Sequence, residues 1–457
     1  MNNQNPPKND RREIFGWLMY DWANSVFFTT VVGVLIGEYI TTLAQKAVGE
    51  NGVVIHLGSY DLVTAKSLFS YSVGLSVFLQ IFFLPVMGAI ADYTHLKKTF
   101  MAFFCYLGVI ACCLLFFVQG NLYLLGSALF IVSNLGAGAS VVFYNSFLTD
   151  VATEDRRDKV SSWGFAAGYV AGSLVLFLNL IFLKYCESWG ISTGLAVRLC
   201  LLTAGIWWGG FALITFSRLK TRKPARVAPE NKNLVAAGIG ELVETFRELF
   251  KLKHTLHFLI AYLLDNDGIQ TVITSSAIFI SQELFVAKGL ETDQSVLIIA
   301  FLIAQIVAFF GSLAFERIAY FTSTKTAIII SLVIWSAIVI YAYGFLETIT
   351  QAYIMSGVIG FVLGGSQALS RSLFSQMIPA GRESAFFGIY EISERGTSWI
   401  GPIVFGLVAQ LTDSYRPAIL ALIVFFIAGM IILFFNNANQ AIREAGQNAP
   451  EKAAEPA

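Results

Sequence analysis

The sequence predicts an all-α polytopic membrane protein, with 12 transmembrane helices set as two six-helix halves. Three observations carry that expectation. The first is composition: of 457 residues, 56% are hydrophobic and 13% charged, at a mean hydropathy of +0.68. A soluble domain carries about twice that charge. The second is a series of apolar runs, each long enough to span a bilayer, near residues 15–40, 67–90, 99–118, 122–148, 161–183, 198–217, 256–281, 295–315, 326–346, 352–375, 386–410 and 417–435. The third is a single long polar stretch, Ser217–His254, between the sixth and seventh runs.

These features divide the chain into an N-terminal half (1–217), a linker (218–254), a C-terminal half (255–436) and a polar tail (437–457) expected to be disordered. The opening MNNQNPPKNDRRE is polar, and the apolar run behind it is too long for a signal-peptide core, so no cleaved targeting segment is expected. The linker starts SRLKTRKPARVAPENKN, basic and proline-containing. It continues as a helical pattern in which Leu242, Phe246, Leu249 and Phe250 share a face, as expected of an amphipathic helix. With the N-terminus inside, the cytoplasmic segments hold 22 Lys and Arg and the outer segments six. That asymmetry predicts cytoplasmic N- and C-termini. Net charge is zero, which gives no reason to expect nucleic acid as a partner. Of five cysteines, Cys186 and Cys200 flank one outer loop and could form a disulfide, while Cys105, Cys112 and Cys113 sit in one apolar run as packing residues. No His/Cys cluster has metal-ligand spacing, and no metal or other cofactor is expected.

The chemistry concentrates in charged residues inside the spans. The seventh carries Asp265, Asn266 and Asp267 in succession, then Gly268. If that helix enters near Thr255, Asp265 lies roughly 15 Å deep, at mid-bilayer. An ionised carboxylate there costs about 2.5–3.5 kcal/mol or more, so it needs a partner, a proton, a cation or water. Two acids two residues apart point to opposite sides of a helix. Either both are structural acids bonded to neighbouring helices, or one serves transport or coupling. In the first span Asp21, Asn24, Ser25 and Phe28 share a face, and Asn145 sits toward the inner end of the fourth. In the tenth, Gln367, Arg371 and Ser375 are spaced by four. In the eleventh, Glu391 and Arg395 have the favoured order for a helical ion pair, beside Glu394. Asp21, Asp265, Asp267, Glu391 and Glu394 outnumber Arg371 and Arg395, so some of these acids must carry a proton or hold a cation, which fits ion coupling. For gating, Gly88 and Asp92 end the second span, with Lys97 and Lys98 following. The loops before the fifth and eleventh spans are weakly alike and place Gly164 and Gly388 one half-chain apart, as in a duplicated transporter half.

The twelve-span layout with GAIADYTHLKK (88–98) resembles the major facilitator superfamily, although Tyr93 and His95 depart from its motif and the lysine pair comes one residue late. The segments YDWANSVF, YNSFLTDVA, SSWGFAAGY, DNDGIQT, GGSQALSRSLFSQMIP and FFGIYEISERGTSWIGP are similar to the family joining bacterial transporters of unassigned substrate with the yeast autophagy-associated vacuolar amino-acid effluxers. The resemblance implies the major facilitator fold, a cavity lined by spans one, four, seven and ten, a monomer in a bacterial inner membrane and, by the yeast branch, amino-acid efflux.

The expected function is therefore secondary active transport by alternating access, moving a small polar solute such as an amino acid. Coupling to protons is favoured, with sodium as the other candidate ion. The rival reading is a non-transporting sensor or scaffold on the same fold. An intramembrane enzyme is disfavoured because the four histidines fall in loops or at helix ends and no Ser/His pairing or phosphate-cradling glycine loop is present.

Overall fold

The computed structural model describes residues 6–446, apart from 50–51, 58–59, 93, 95, 223–233, 292 and 396–399. Among the described residues, 11 helices are long and apolar enough to cross a membrane. The first six are α1 (Arg11–Val48), α2 (Leu68–Asp92), α3 (Lys97–Phe117), α4 (Tyr123–Val151), α5 (Glu154–Tyr185) and α6 (Thr193–Arg218). The linker helix α7 (Leu234–Lys251) comes next. Then follow α8 (Lys253–Lys288), α9 (Ser295–Phe321), α10 (Thr324–Phe345) and α11 (Ile349–Gln376). Of the expected eleventh span, the described residues form α12 (Glu383–Arg395) and α13 (Ile400–Thr412). The last span is α14 (Tyr415–Phe435).

Helix ends follow ordinary capping chemistry. Asp10 caps α1 by accepting from Arg12 N at 3.0 Å, and Thr348 with Gln351 forms a capping box on α11. Packing is that of a protein solvated by lipid. Large apolar side chains such as Phe82, Phe117 and Leu213 face outward (60–62% exposed), while serines, asparagines and small residues fill the helix contacts. Glycines let backbones approach. A Cβ at Gly364 would press on the backbone of Ala308 and Ser312, so α9 and α11 cross closely there.

Several expectations change. The first span is longer than its apolar run, and residues Phe27–Leu35 wind as a π-helix, with Ile36 N–H reaching the Val31 carbonyl. Such a wide turn does not register in a 3.6-residue pattern. The loop before α2 contains an antiparallel hairpin, β1 (Val53–Leu57) with β2 (Tyr60–Thr64). Cys186 and Cys200 are free thiols. The tail is ordered as far as Gly446. Helix α15 (Ala438–Glu444) buries Ala441 and Ile442, and His254 Nδ1 sits 3.0 Å from Asn436 Oδ1. Residues 447–457 and the 223–233 part of the basic linker lie outside the described residues.

Helix α7 turns a different face inward from the one expected. Thr245, Leu249 and Leu252 are buried, while Phe246 and Phe250 are exposed. It lies across the linker-side ends of α2 and α12. There the buried Arg382, just before α12, donates to Glu244 Oε1 at 2.8 Å and pairs with Glu248. Hydrogen bonds to charged groups are worth about 1.5–3 kcal/mol each. An Arg382→Ala variant should therefore loosen α7. Amide hydrogen exchange over 234–251 should quicken by roughly tenfold or more, while exchange in α3 stays unchanged. Equal exchange in variant and parent would mean that apolar packing alone holds α7.

Candidate functional site

Asp21, Asn145, Arg371 and Glu391 come together where the halves meet, toward the linker-side end of the bundle. Arg371 of α11 is the hub. Its Nε donates to Ser161 Oγ at 2.9 Å, its Nη2 to the Ser161 carbonyl at 2.9 Å, and its Nη1 to Asn145 Oδ1 at 3.3 Å. Asp21 Oδ2 lies 3.3 Å from Nη2 and accepts from the Tyr144 hydroxyl at 2.6 Å. The guanidinium carbon is 4.2 Å from the Phe165 ring centre and 4.9 Å from that of Trp17. Trp17 is stacked on Tyr144 and anchored to its carbonyl. Arg371 is 3% exposed and Asp21 8%. A pair so deprived of water is held only if its remaining hydrogen-bonding capacity is met, and here α1, α4 and α5 supply the partners. Gly164 makes room for it, because a Cβ there would press on Asp21 Oδ2 and come within 3.0 Å of Arg371 Nη2.

Around this pair run further bonds between the halves. Ser161 Oγ donates to the Ala368 carbonyl at 2.7 Å, Arg157 Nη1 to the Ser375 carbonyl at 2.9 Å, and the Tyr169 hydroxyl to Gln367 Oε1 at 2.7 Å. Asn145 Nδ2 donates to Glu391 Oε1 at 2.8 Å. The Asp92 carboxylate accepts from Ser384 N at 2.9 Å and Ala385 N at 2.8 Å, capping the start of α12 from the other half. Gly88, one turn earlier, packs against the Ser384 backbone, and a Cβ at Gly388 would come 2.8 Å from Pro85 Cα.

Some expected partnerships are redistributed. Arg371 pairs with Asp21 rather than with Glu391 or Glu394, because the tenth span faces the first across the bundle. Glu391 Oε1 accepts from Asn145. Asn266 Nδ2 donates to the Glu394 carbonyl at 2.6 Å, tying α8 to α12. The Arg395 side chain lies outside the described residues. Lys97 and Lys98 do not cross between halves. Lys97 bonds Asp150 at 2.8 Å and Lys98 the Leu219 carbonyl at 2.7 Å. Asn24 is buried in α1. Asn134, a polar residue at mid-depth, bonds Ser76 at 2.7 Å and serves helix packing.

The two acids of α8 have different surroundings. Asp265 turns to the last span, where a Cβ on Gly429 would collide with its carboxylate, and among the described residues its Oδ1 has no hydrogen-bond partner. Asp267 turns to the start of α13, where its Oδ2 accepts from Gly401 N at 2.8 Å. Its Oδ1 is buried with no partner among the described residues. Sequence reasoning does not single out Ser161, Arg157 or Arg382. Arg157 and Arg382 read as loop charges, and only their burial (2% and 3% exposed) distinguishes them.

Residues 9–446 match the model of a family described as "vacuole effluxer Atg22 like". The MFS-type transporter YxiO of Bacillus subtilis is 30% identical over 92% of this chain and 93% of its own length. Autophagy-related protein 22-2 of Penicillium rubens is 25% identical over 95% of this chain and 90% of its own. Among solved structures, the human organic anion transporter MFSD10 superposes with a TM-score of 0.67 at 13% identity, covering 94% of this chain and all (100%) of that one. The E. coli fucose:proton symporter FucP superposes at 0.66 and 10% identity, covering 93% and 98%.

Proposed function

The chain belongs to the vacuole effluxer Atg22 like family, a multi-pass membrane transporter of the major facilitator fold, and from that premise we propose a proton-coupled alternating-access carrier for amino acids. The observation that carries this reading is the placement of the bonds between halves. Asp92 to Ser384 and Ala385, Asn145 to Glu391, Arg371 to Asp21 and Ser161, and Arg157 to Ser375 all join residues within the linker-side portions of their helices. That is the pattern of a carrier closed on one side. To open there, the halves must exchange these bonds for others, which is a two-state rocking movement. The positive-charge asymmetry supports a cytoplasmic closed side. The carrier acts as a monomer.

Asp267 is the proposed proton carrier. One oxygen is fixed by Gly401 N and the other has no partner among the described residues, which suits a group that gains or loses a proton as its surroundings change. Asp21 and Arg371, released from each other on opening, offer an acid and a base to an ammonium and a carboxylate. The coupling ion could instead be sodium. Purified protein in liposomes, loaded with an amino-acid mixture, tests the substrate class, and absence of flux for every amino acid under a pH gradient removes it. Asp267→Asn should reduce gradient-driven accumulation to background while exchange of solute at equal pH persists. Accumulation that survives Asn at both 265 and 267 would refute the coupling assignment. A non-transporting sensor or scaffold predicts no flux of any solute.

A further inference from the structure

A second feature lies outside the polar core, on the linker-side flank of the N-terminal half. Between the first turns of α1 and α5 is a cavity of about 430 Å³. Arg11, Arg156 and Lys159 supply its charge, and Ile14, Leu18 and Trp163 its apolar wall. Among the described residues neither Arg11 nor Lys159 has an acidic partner within ion-pairing distance. Arg156 has only a loose one, Asp155 at 4.0 Å from its Nε. Of the nearby acids, Glu316 of α9 lies within electrostatic range of Lys159, and two others are engaged elsewhere. Glu13 is held by Arg222 at 2.7 Å, and Asp158 accepts from Thr324 at 2.6 Å. Three cations thus line one hollow whose wall holds no acid among the described residues. Below it, Trp163 (49% exposed) starts a line of outward-facing apolar residues along α5: Val170, Leu174 and Phe177. Their spacing of seven, four and three residues keeps them on one face. A tryptophan at the depth where a basic rim gives way to an apolar stripe marks a headgroup boundary.

We propose that this cavity binds the phosphodiester headgroup of an anionic phospholipid, with one acyl chain lying against Trp163 and the α5 stripe. Basic pockets between spans on one leaflet are suited to such headgroups, and each Lys or Arg near the surface adds about 1 kcal/mol. The site adjoins the buried pair, because Val160 of its wall precedes Ser161 and Trp163 precedes Gly164. A bound lipid would therefore bear on the α1–α5 contact that holds Asp21 to Arg371.

Thermal unfolding of the full-length protein in detergent tests the proposal, because a ligand of the folded state raises the midpoint. Dioleoylphosphatidylglycerol should raise it saturably, whereas dioleoylphosphatidylcholine and water-soluble glycerol phosphate at equal phosphate concentration should not. In Arg11→Gln/Arg156→Gln/Lys159→Gln, the phosphatidylglycerol response should require a higher concentration, by roughly fivefold per cation removed. An unchanged response in that variant, an equal response to phosphatidylcholine, or a full response to glycerol phosphate (a soluble-anion site) would each overturn it. If the triple variant does not fold, brominated phosphatidylglycerol decides. It should quench a component of tryptophan fluorescence that Trp163→Phe lacks, and equal fractional quenching of the two proteins would overturn the proposal.

Discussion

Arg371→Ala should unfold at a markedly lower temperature than the parent and should transport nothing. The reason is the acid left behind. Asp21 is 8% exposed and would retain one bond, from the Tyr144 hydroxyl, with its cation gone. Removing one member of a buried pair costs about 3–5 kcal/mol, because the other charge stays desolvated and uncompensated. Ser161 and Asn145 lose their donor as well. Adding Asp21→Asn should recover much of the loss in stability, since the amide needs no countercharge and can still accept from Tyr144. Transport should stay absent in the double variant if both charges serve the solute. The measurement is thermal unfolding of both variants beside flux in liposomes. A single variant that melts like the parent would show that Asp21 finds water or another partner at this depth, and the pair would lose its proposed role.

Much of this arrangement was legible in the sequence, and the parts that were not share a cause. The spans follow from apolar run length, since a bilayer demands that every backbone polar group be bonded within a helix. Gly88 and Asp92 were legible by residue type, since a glycine permits close helix approach and an Asp at a helix end can cap a neighbour, but that α12 is the helix they meet was not. The pairing of Arg371 with Asp21 was not. The two lie 350 positions apart, and spacing within a helix cannot tell which helix stands opposite. The same holds for Asp265 and Asp267. Their opposite directions could be read from helix periodicity, but the last span as the neighbour of Asp265 could not. Arg157 and Arg382 were hidden for a different reason. Basic residues at helix ends are ordinary on the linker side, and only burial sets these two apart. Nor could the sequence show that Gly401 N stands opposite Asp267, for the same reason as with Asp21 and Arg371.

Gly88→Val should open the linker side and reduce transport by at least about tenfold. A Cβ at position 88 would meet the Ser384 carbonyl oxygen and come 2.7 Å from its carbon. Both are backbone atoms at the start of α12, so no side-chain rotation relieves the clash, and a branched residue worsens it. Asp92 lies one turn along on the same face, and its two bonds to Ser384 N and Ala385 N require that close approach. Pushing α12 off α2 therefore breaks the cap as it inserts the methyl groups. Overpacking typically costs about 1–3 kcal/mol. Levied on one of two states, that shifts their balance by roughly 5- to 150-fold. The protein should stay folded, because the opposite state lacks this contact. Ser146 offers the readout. It is fully buried, and its hydroxyl is 3.2 Å from that of Ser384. A Ser146→Cys probe, with Cys113 replaced by alanine, should react with an impermeant maleimide from the linker side in the Gly88→Val background and stay protected without it. Gly74→Val, in the same helix with open space beside it, is the control. If both valine variants transport alike and shield the probe alike, the α2–α12 crossing does not gate this carrier.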